Sequence, residues 1–586
     1  MIRDRVKPGK MVPVVFHDTI GWLNEARGSR GVVIAGGHGF EDLCSRRFLA
    51  MLAREIAAAG LPVLQFDYPG WGDALGDYET PGLLERWERS IDGAIDCLKR
   101  NAGVDDVIVV GFRLGALLAY SAAARRDDIA ALALLAPPAT GRHYLREQTI
   151  AARMVDSALR LPPDEKPFDG VSVGGCRLSN ETSNALKAFD PFKNEINRKP
   201  PISILLLARG EPPVNEALAE QLRGMNCDVT VAQFDGYNSL MRDTTAQEVP
   251  VDVIKRCVDW VSSNAGGTRP FTSGVAAASP QVLNGRDFIE EPVIIGAGTP
   301  RMAGVFCRPR DAGGAIKASG QAFIIPNSGA NPRAGWARGA VELARTLAAH
   351  GIASLRVDLP GLGQSEEAVE ERQYLYDTRT RHDVVRAIDW MCSQGYDSVA
   401  LAGICSGAHH AFHAARMDPR VTRLAIVNIL CFDWTLSHNI ERMALQLLHG
   451  SRHAVPSGQA ITGKEQIPSR RASIQKAVKA FVKVWGRPAV EILKTAFARL
   501  TPAFVFGRGR VEHWMADLTG RGTKVLVVCS DQDLSHNEIA RHFGPEGKRL
   551  GNMNGVTRHV IAYADHSLTQ VHARDALARY LIDWET

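Results

Sequence analysis

The chain carries one pattern of apolar and polar positions twice. GVVIAGG (31–37), DVIVVGF (106–112) and ISILLLARG (202–210) are short runs that stay apolar on both faces. QAFIIPN (321–327), SVALAG (398–403) and KVLVVCSDQD (524–533) match them in the second half. Such Val, Ile and Leu runs, alternating with stretches of helical length, predict parallel strands covered by helices on both faces. A strand that turns sharply into an Ala-rich helix occurs in both halves, as DVIVVGFRLGALLAYSAAA (106–124) and SVALAGICSGAHHAFHAAR (398–416). The expected fold class is α/β: two tandem domains, each a mostly parallel sheet flanked by helices.

The repeat can be aligned residue by residue. LAREIAAAGLPVLQFDYPGWGDA (52–74) matches LARTLAAHGIASLRVDLPGLGQS (343–365) without gaps, at an offset of 291. Asp67/Asp358, Pro69/Pro360, Gly70/Gly361 and Gly72/Gly363 coincide. Each copy reads as helix, glycine stop, β-branched strand and Pro/Gly turn. The intervening NAGGTRPFTSGVAAASPQVLNG (264–285) has the composition of a linker. A tandem duplication is expected, with domains at 1–267 and 283–586 and a linker at 268–282.

The second copy of the sharp turn carries chemistry. Gly403-Ile404-Cys405-Ser406-Gly407 fits the G-x-nucleophile-x-G elbow, in which a tight strand-to-helix turn drives the central residue toward positive φ and its neighbours must be small. Centring the turn on Ser406 would put Ile404 and Ala408 in the glycine places, so the frame favours Cys405. A thiolate attacks carbonyl carbon well, and an adjacent imidazole makes it available near neutral pH. The first copy reads Gly111-Phe112-Arg113-Leu114-Gly115, with an arginine that cannot act as a nucleophile.

From these motifs, residues 290–586 resemble the α/β-hydrolase superfamily, in its serine-aminopeptidase-like or acyl-hydrolase branch. The resemblance implies a triad in the order nucleophile, acid, histidine. It assigns the acid after VLVVCSDQD to Asp533, with Asp531 as competitor, and the base in YADHSLTQ to His566. It also implies an oxyanion hole built from the N–H of Ser406 and one from Asn327-Ser328-Gly329-Ala330, with Ala330 the donor chosen. Aligned on these places, the first copy has Arg113 for Cys405, Asn238 for His566 and Pro213 for Asp533, so that half is expected to be inactive. Cysteine elbows are similar to those of dienelactone hydrolases and polyhydroxyalkanoate synthases. The GxCSGA form resembles accessory enzymes of bacterial polysaccharide or secondary-metabolite pathways.

The span from elbow to acid is 28 residues longer in the second half, and a helical lid is expected there at about 433–515. Within it, SIQKAVKAFVKVW (473–485) sets Ile474, Val478, Phe481 and Trp485 on one helical face and three lysines on another. That pattern suits a lid helix with a solvated basic side, a docking face for an acidic carrier or a CoA phosphate, or a helix on a membrane surface. His409, His410 and His413 suggest helix packing, and no metal is expected.

Composition narrows the classes further. With 586 residues, 45% hydrophobic, 23% charged and a net charge of +5, the chain has the make-up of a soluble multidomain protein. No concentrated basic face suggests nucleic acid. The ten cysteines are scattered without metal or disulfide spacing, as in a reducing compartment. There is no signal-peptide pattern and no apolar run near the roughly 18 residues of a membrane span, so a cytoplasmic location without stable membrane insertion is expected. The expected function is acyl transfer through an acyl-Cys405 intermediate, hydrolysing or transferring acyl groups from an ester or thioester, without a cofactor, on a small-molecule or carrier-bound acyl substrate. An acyl carrier protein or CoA is the partner this suggests. The alternatives are an acyltransferase acting on carrier or CoA thioesters in a biosynthetic pathway, and a non-catalytic binding or scaffold protein.

Overall fold

The computed structural model describes residues 10–156, 159–196, 202–209, 216–242, 244–267, 281–296, 298, 300–310, 322–368, 375–434 and 509–585. In the first half the strands are β1 (Met11–Phe16), β2 (Thr19–Asn24), β3 (Arg30–Ala35), β4 (Val63–Phe66), β5 (Asp106–Phe112), β6 (Ile129–Leu135), the hairpin β7 (Gly170–Val173) and β8 (Cys176–Ser179), β9 (Ser203–Ala208) and β10 (Asp228–Gln233). In the second half they are β11 (Leu283–Asn284), β12 (Phe288–Ile295), β13 (Met302–Pro309), β14 (Ala322–Pro326), β15 (Ala353–Val357), β16 (Val399–Ile404), β17 (Val421–Val427), β18 (Lys524–Ser530) and β19 (Val556–Ile561).

The strands form two large sheets, ordered β1-β2-β4-β3-β5-β6-β9-β10 and β11-β12-β13-β15-β14-β16-β17-β18-β19. Apart from the short β11, the two orders are the same. The leading strands pair antiparallel, β1–β2–β4 in the first half and β11–β12–β13–β15 in the second, and the remaining pairs of each sheet are parallel. Even a register irregularity recurs, between Val107 and Ile108 on β5 and between Val399 and Ala400 on β16. The parallel strands of both sheets carry apolar side chains on both faces because helices cover both faces. Val107, Ile108, Val109 and Val110 of β5 are all fully buried, pointing alternately to the two sides. Each such side chain contributes about 1.5–3 kcal/mol relative to exposure.

The helices that cover the sheets follow from apolar stripes. The helix Leu83–Ala102 buries Trp87, Ile91, Ala94, Ile95 and Leu98 at helical spacing. Its partner in the second half, Thr380–Ser393, buries Val384, Ala387, Ile388 and Met391. Of the segment expected to form a lid, 435–508, including the lysine-bearing 473–485, lies outside the described residues. Its far end, 509–520, is helical and buries Val511, Met515 and Leu518 in the second core, so that end belongs to the domain body. Among the described residues no helix is long and apolar enough to cross a membrane.

The halves are docked through charge buried at their junction. Arg333 reaches Asp358 in its own half and Asp73 in the other, at 2.6 Å each, and its guanidinium lies 4.5 Å from the centre of the Trp22 ring. Arg356 adds Asp73 at 3.2 Å and Glu290 at 2.7 Å. Arg338 donates to the carbonyls of Gly72 at 2.8 Å, Gly76 at 2.6 Å and Ala74. Buried charge is tolerated there because Arg333 and Arg356 face carboxylates and Arg338 is hydrogen-bonded to carbonyl oxygens.

Candidate active site

The second-half elbow sits where the sheet is best supported. β16 ends at Ile404, and Ser406 opens the helix Ser406–Met417. Cys405 between them has φ 55° and ψ −119°. That strain is accepted because the turn is locked on both sides: Cys405 N–H donates to Val427 O at 2.9 Å, and a Cβ on Gly403 would lie 2.3 Å from Gly407 O. A Cβ on Gly407 would meet Asn327 O at 2.6 Å, so the helix start is pressed against the end of β14. The glycines thus allow close backbone approach, and the thiol is presented 8% exposed at the sheet's rim.

The candidate acid and base come to the same rim from the neighbouring strands. Asp533 follows β18, and its Oδ2 accepts from His566 Nδ1 at 2.7 Å while its Oδ1 accepts from Ser535 N–H at 2.8 Å. Asp533 is buried, whereas His566 keeps a third of its side chain open. Asp531, the competitor for the acid's place, turns away and is held by Arg160 of the first half. With His566 Nδ1 occupied, the side facing Cys405 is Nε2, which meets no oxygen or nitrogen partner among the described residues. Burial alone would lower the His566 pKa. The negative charge of Cys405 and the bond to Asp533 overcome this and raise it well above the usual histidine value. The bond to the cationic imidazole and the backing bond from Ser535 N–H outweigh burial at Asp533, whose pKa is lowered.

Ser406 and Ala330 also lie at this place. Ser406 is the first residue of its helix, where an N–H has no intrahelical acceptor. Its hydroxyl accepts from Gly329 N–H at 2.9 Å, tying the loop after β14 to the elbow and leaving Ala330 as the next N–H of that loop. Two contacts had no signal in the sequence. Asn428, at φ 47° after β17, donates to His566 O at 2.8 Å and accepts from Ser530 N–H at 2.7 Å, joining the acid strand to the histidine turn. Arg160 approaches from the other half. The adjacent histidines pack: His409 Nδ1 is 2.8 Å from Cys431 O and His413 Nε2 2.7 Å from Phe432 O, as donors to carbonyls. Among the described residues no cluster of His, Cys, Asp or Glu could hold a metal ion.

The corresponding place in the first half has the same backbone and different side chains. Arg113 has φ 56° and ψ −115°, nearly the angles of Cys405. It is 1% exposed and its guanidinium is consumed internally, by Glu41 Oε1 at 2.9 Å, Ala136 O at 3.0 Å and Glu147. Arg209 holds the other side of Glu147, and the Tyr237 ring lies beneath both arginines. Burial opposes the Arg113 charge, but Glu41, Tyr237 and Glu147 raise its pKa well above normal. His38 in the adjacent loop is driven down to about 3 by burial and stays neutral. Asn238 lies in the short helix Tyr237–Leu240, whereas Pro213 lies outside the described residues.

The second half thus has a mostly parallel sheet flanked by helices, with a strained elbow at the end of a parallel strand and a His–Asp pair from later in the chain beside it. Residues 324–580 match the model of the Alpha/beta hydrolase family. A comparison with curated protein sequences finds no match. Among solved structures, the chain is similar to the acetyl xylan esterase from Paenibacillus sp. R4, at 16% identity over 51% of this chain and 84% of that one, with TM-score 0.32. It is similar to Est1E from Butyrivibrio proteoclasticus, solved with ferulic acid, at 15% identity, 50% and 97% coverage and TM-score 0.30. The dienelactone hydrolase from Anabaena variabilis gives 15% identity, 51% and 97% coverage and TM-score 0.28.

Proposed function

We propose that this protein is an acyl-transfer enzyme that hydrolyses or transfers acyl groups from an ester or thioester through an acyl-Cys405 intermediate. The observation that carries the reading is the 2.7 Å bond from His566 Nδ1 to Asp533 beside the strained elbow of Cys405. An imidazolium between a thiolate and a buried carboxylate is the resting state of a thiol nucleophile.

The thiolate attacks the carbonyl carbon, and the carbonyl oxygen takes the electron pair as an oxyanion facing the N–H groups of Ser406 and Ala330. Collapse breaks the bond to the leaving oxygen or sulfur, which takes the proton from His566 Nε2. The neutral imidazole then removes a proton from water or another acceptor, whose attack on the acyl-thioester releases Cys405 as thiolate and returns the imidazolium. Asp533 keeps the Nδ1 proton directed toward itself throughout. A thioester intermediate suits exchange with a second thioester, and an acyl group carried by CoA or a carrier protein is a fitting donor.

The first half is read as a non-catalytic copy from a tandem duplication. Its matching strand order and the self-satisfied ion cluster around Arg113 support this. Incubation with acyl-thioester and ester probes, followed by mass spectrometric mapping, tests the proposal. An acyl adduct on Cys405 that disappears in Cys405→Ala is expected. A folded protein that turns over none of the probes and bears no adduct at Cys405 rejects it.

A further inference from the structure

We infer that the first half is a working part of the second half's site, with Arg160 as positioning residue on the acid side and Thr244 on the oxyanion side. The inference rests on the acyl-cysteine reading above.

Arg160 lies between the helix Gly141–Val155 and β7, and its side chain contacts Asp531 and Tyr563 of the second half. Its guanidinium forks onto Asp531, with Nη1 3.1 Å from Oδ2 and Nη2 on Oδ1. Asp531 is two residues before Asp533, on the same turn. The Arg160 carbonyl accepts from Gln570 Nε2 at 3.2 Å, and Gln570 Oε1 accepts from the N–H of Asp565 at 3.1 Å, one residue before His566. The guanidinium also lies 5.8 Å from the centre of the Tyr563 ring, in the same turn as His566. One residue of the first half therefore grips the acid turn with its side chain and the histidine turn with its backbone. Between those turns runs the 2.7 Å bond from His566 to Asp533. A planar guanidinium fixes both oxygens of Asp531, which a lysine ammonium does not.

The oxyanion side is held from the first half as well. Thr244 Oγ1 donates to Asn331 Oδ1 at 2.9 Å, in a buried position next to Ala330. Thr245 Cγ2 lies 3.4 Å from where a Cβ on Gly329 would be. Two residues further, Arg333 is anchored on Asp73. Reacting groups held by separate loops lose rate steeply when one loop shifts, about a hundredfold for a displacement near 1 Å.

The test uses the full chain with Arg160→Ala, Arg160→Lys, Asp531→Asn, the Arg160→Ala/Asp531→Asn double variant and Thr244→Val. Thermal unfolding first establishes that each is folded. Two readouts follow: kcat and KM on an acyl-thioester probe, and the pH dependence of iodoacetamide labelling at Cys405. Arg160→Ala is expected to lower kcat about tenfold with KM little changed, and to move the labelling midpoint upward. Arg160→Lys, which keeps the charge without the fork, is expected to restore only a minor part. Asp531→Asn should match Arg160→Ala, and the double variant should be no worse than either. Thr244→Val should lower kcat and leave the labelling midpoint alone. An Arg160→Ala protein with unchanged kcat and midpoint overturns the inference, as does full recovery with lysine. If the wild-type chain acylates with no probe while Arg160→Ala still moves the midpoint, the acyl-transfer reading falls and the positioning role stands.

Discussion

Replacing Asp533 with asparagine isolates what the carboxylate does for the dyad. In the native turn Oδ1 accepts from Ser535 N–H at 2.8 Å and Oδ2 from His566 Nδ1 at 2.7 Å. Asparagine has only one acceptor oxygen, and the fixed backbone N–H of Ser535 claims it. The side-chain NH2 then faces Nδ1, which must become an acceptor, and the neutral imidazole's proton moves to Nε2. Nε2 can no longer receive a proton from Cys405. The thiol loses its partner, and its titration should move toward the ~8.5 of an unassisted cysteine, leaving about 3% thiolate at pH 7. Labelling at a single pH understates this change, because a more basic thiolate is intrinsically more reactive, with a Brønsted slope of about 0.4–0.5. The informative quantity is therefore the midpoint of the labelling profile at Cys405, measured from pH 5 to 10 with adducts located by mass spectrometry. We expect an upward shift together with a loss of kcat of at least about 10²-fold. An unmoved midpoint would refute the assignment of Asp533 as the group that orients His566.

Four further outcomes are expected. Gly403→Ala places a methyl 2.3 Å from Gly407 O, which backbone cannot yield, and circular dichroism melting should show a loss of at least about 2 kcal/mol or no folded second half. Arg333→Met takes the paired cation from the buried carboxylate of Asp358 and one of two from Asp73, and should cost about 3–5 kcal/mol in urea unfolding; a loss under about 1 kcal/mol would contradict the ion network. At Asp73, burial pushes the pKa up but Arg333 and Arg356 push harder and bring it down to about 2. The sign is that of a depressed acid: its roughly 2 kcal/mol of stability is full above about pH 4 and fades as pH falls toward 2, which acid titration of the melting temperature reads directly. For His566 the raised pKa requires kcat/KM to keep its imidazolium above the ordinary histidine range, so the alkaline limb of the pH–rate profile should lie well above pH 6.5.

The parallel strands were legible because a strand buried on both faces has no polar alternation to confuse it. The leading antiparallel pairs β1–β2 and β12–β13 were not, since their mixed apolar and polar residues imitate loop composition. Glycine spacing reports a steric fact of the turn, and the residue at its positive-φ centre is Cys405 rather than Ser406. Asp533 could not be separated from Asp531 by spacing; in the fold the two carboxylates meet different partners, His566 for one and Arg160 for the other. Arg160 itself lay beyond reach, being 371 residues from Asp531 in the chain with no local motif around it. The same holds for Asn428, which reads as a strand-end polar residue until β18 and the histidine turn are brought beside it.

The junction between the halves obeys the offset found in the sequence. Arg345 donates to Ala74 O at 3.2 Å, and Arg54 donates to Ser365 O at 3.1 Å. Arg54 and Arg345 are corresponding residues, as are Ala74 and Ser365, so the contact from the first half to the second is returned from the second to the first. Arg338 reaches Gly76 O, and its counterpart Arg47 reaches Glu367, the counterpart of Gly76. Exchange of equivalent contacts is the mark of an isologous interface, as in a two-fold dimer. None of these residues belongs to either elbow. The mutually returned contacts lie apart from both elbows, so Arg113 in place of a cysteine at the first elbow does not touch them. The asymmetry enters through Arg160 and Thr244, which lie outside the mutually returned contacts and reach the second half's loops without a counterpart pair among the described residues. Through these two residues the half with Arg113 at its elbow touches both loops that flank Cys405 in the other.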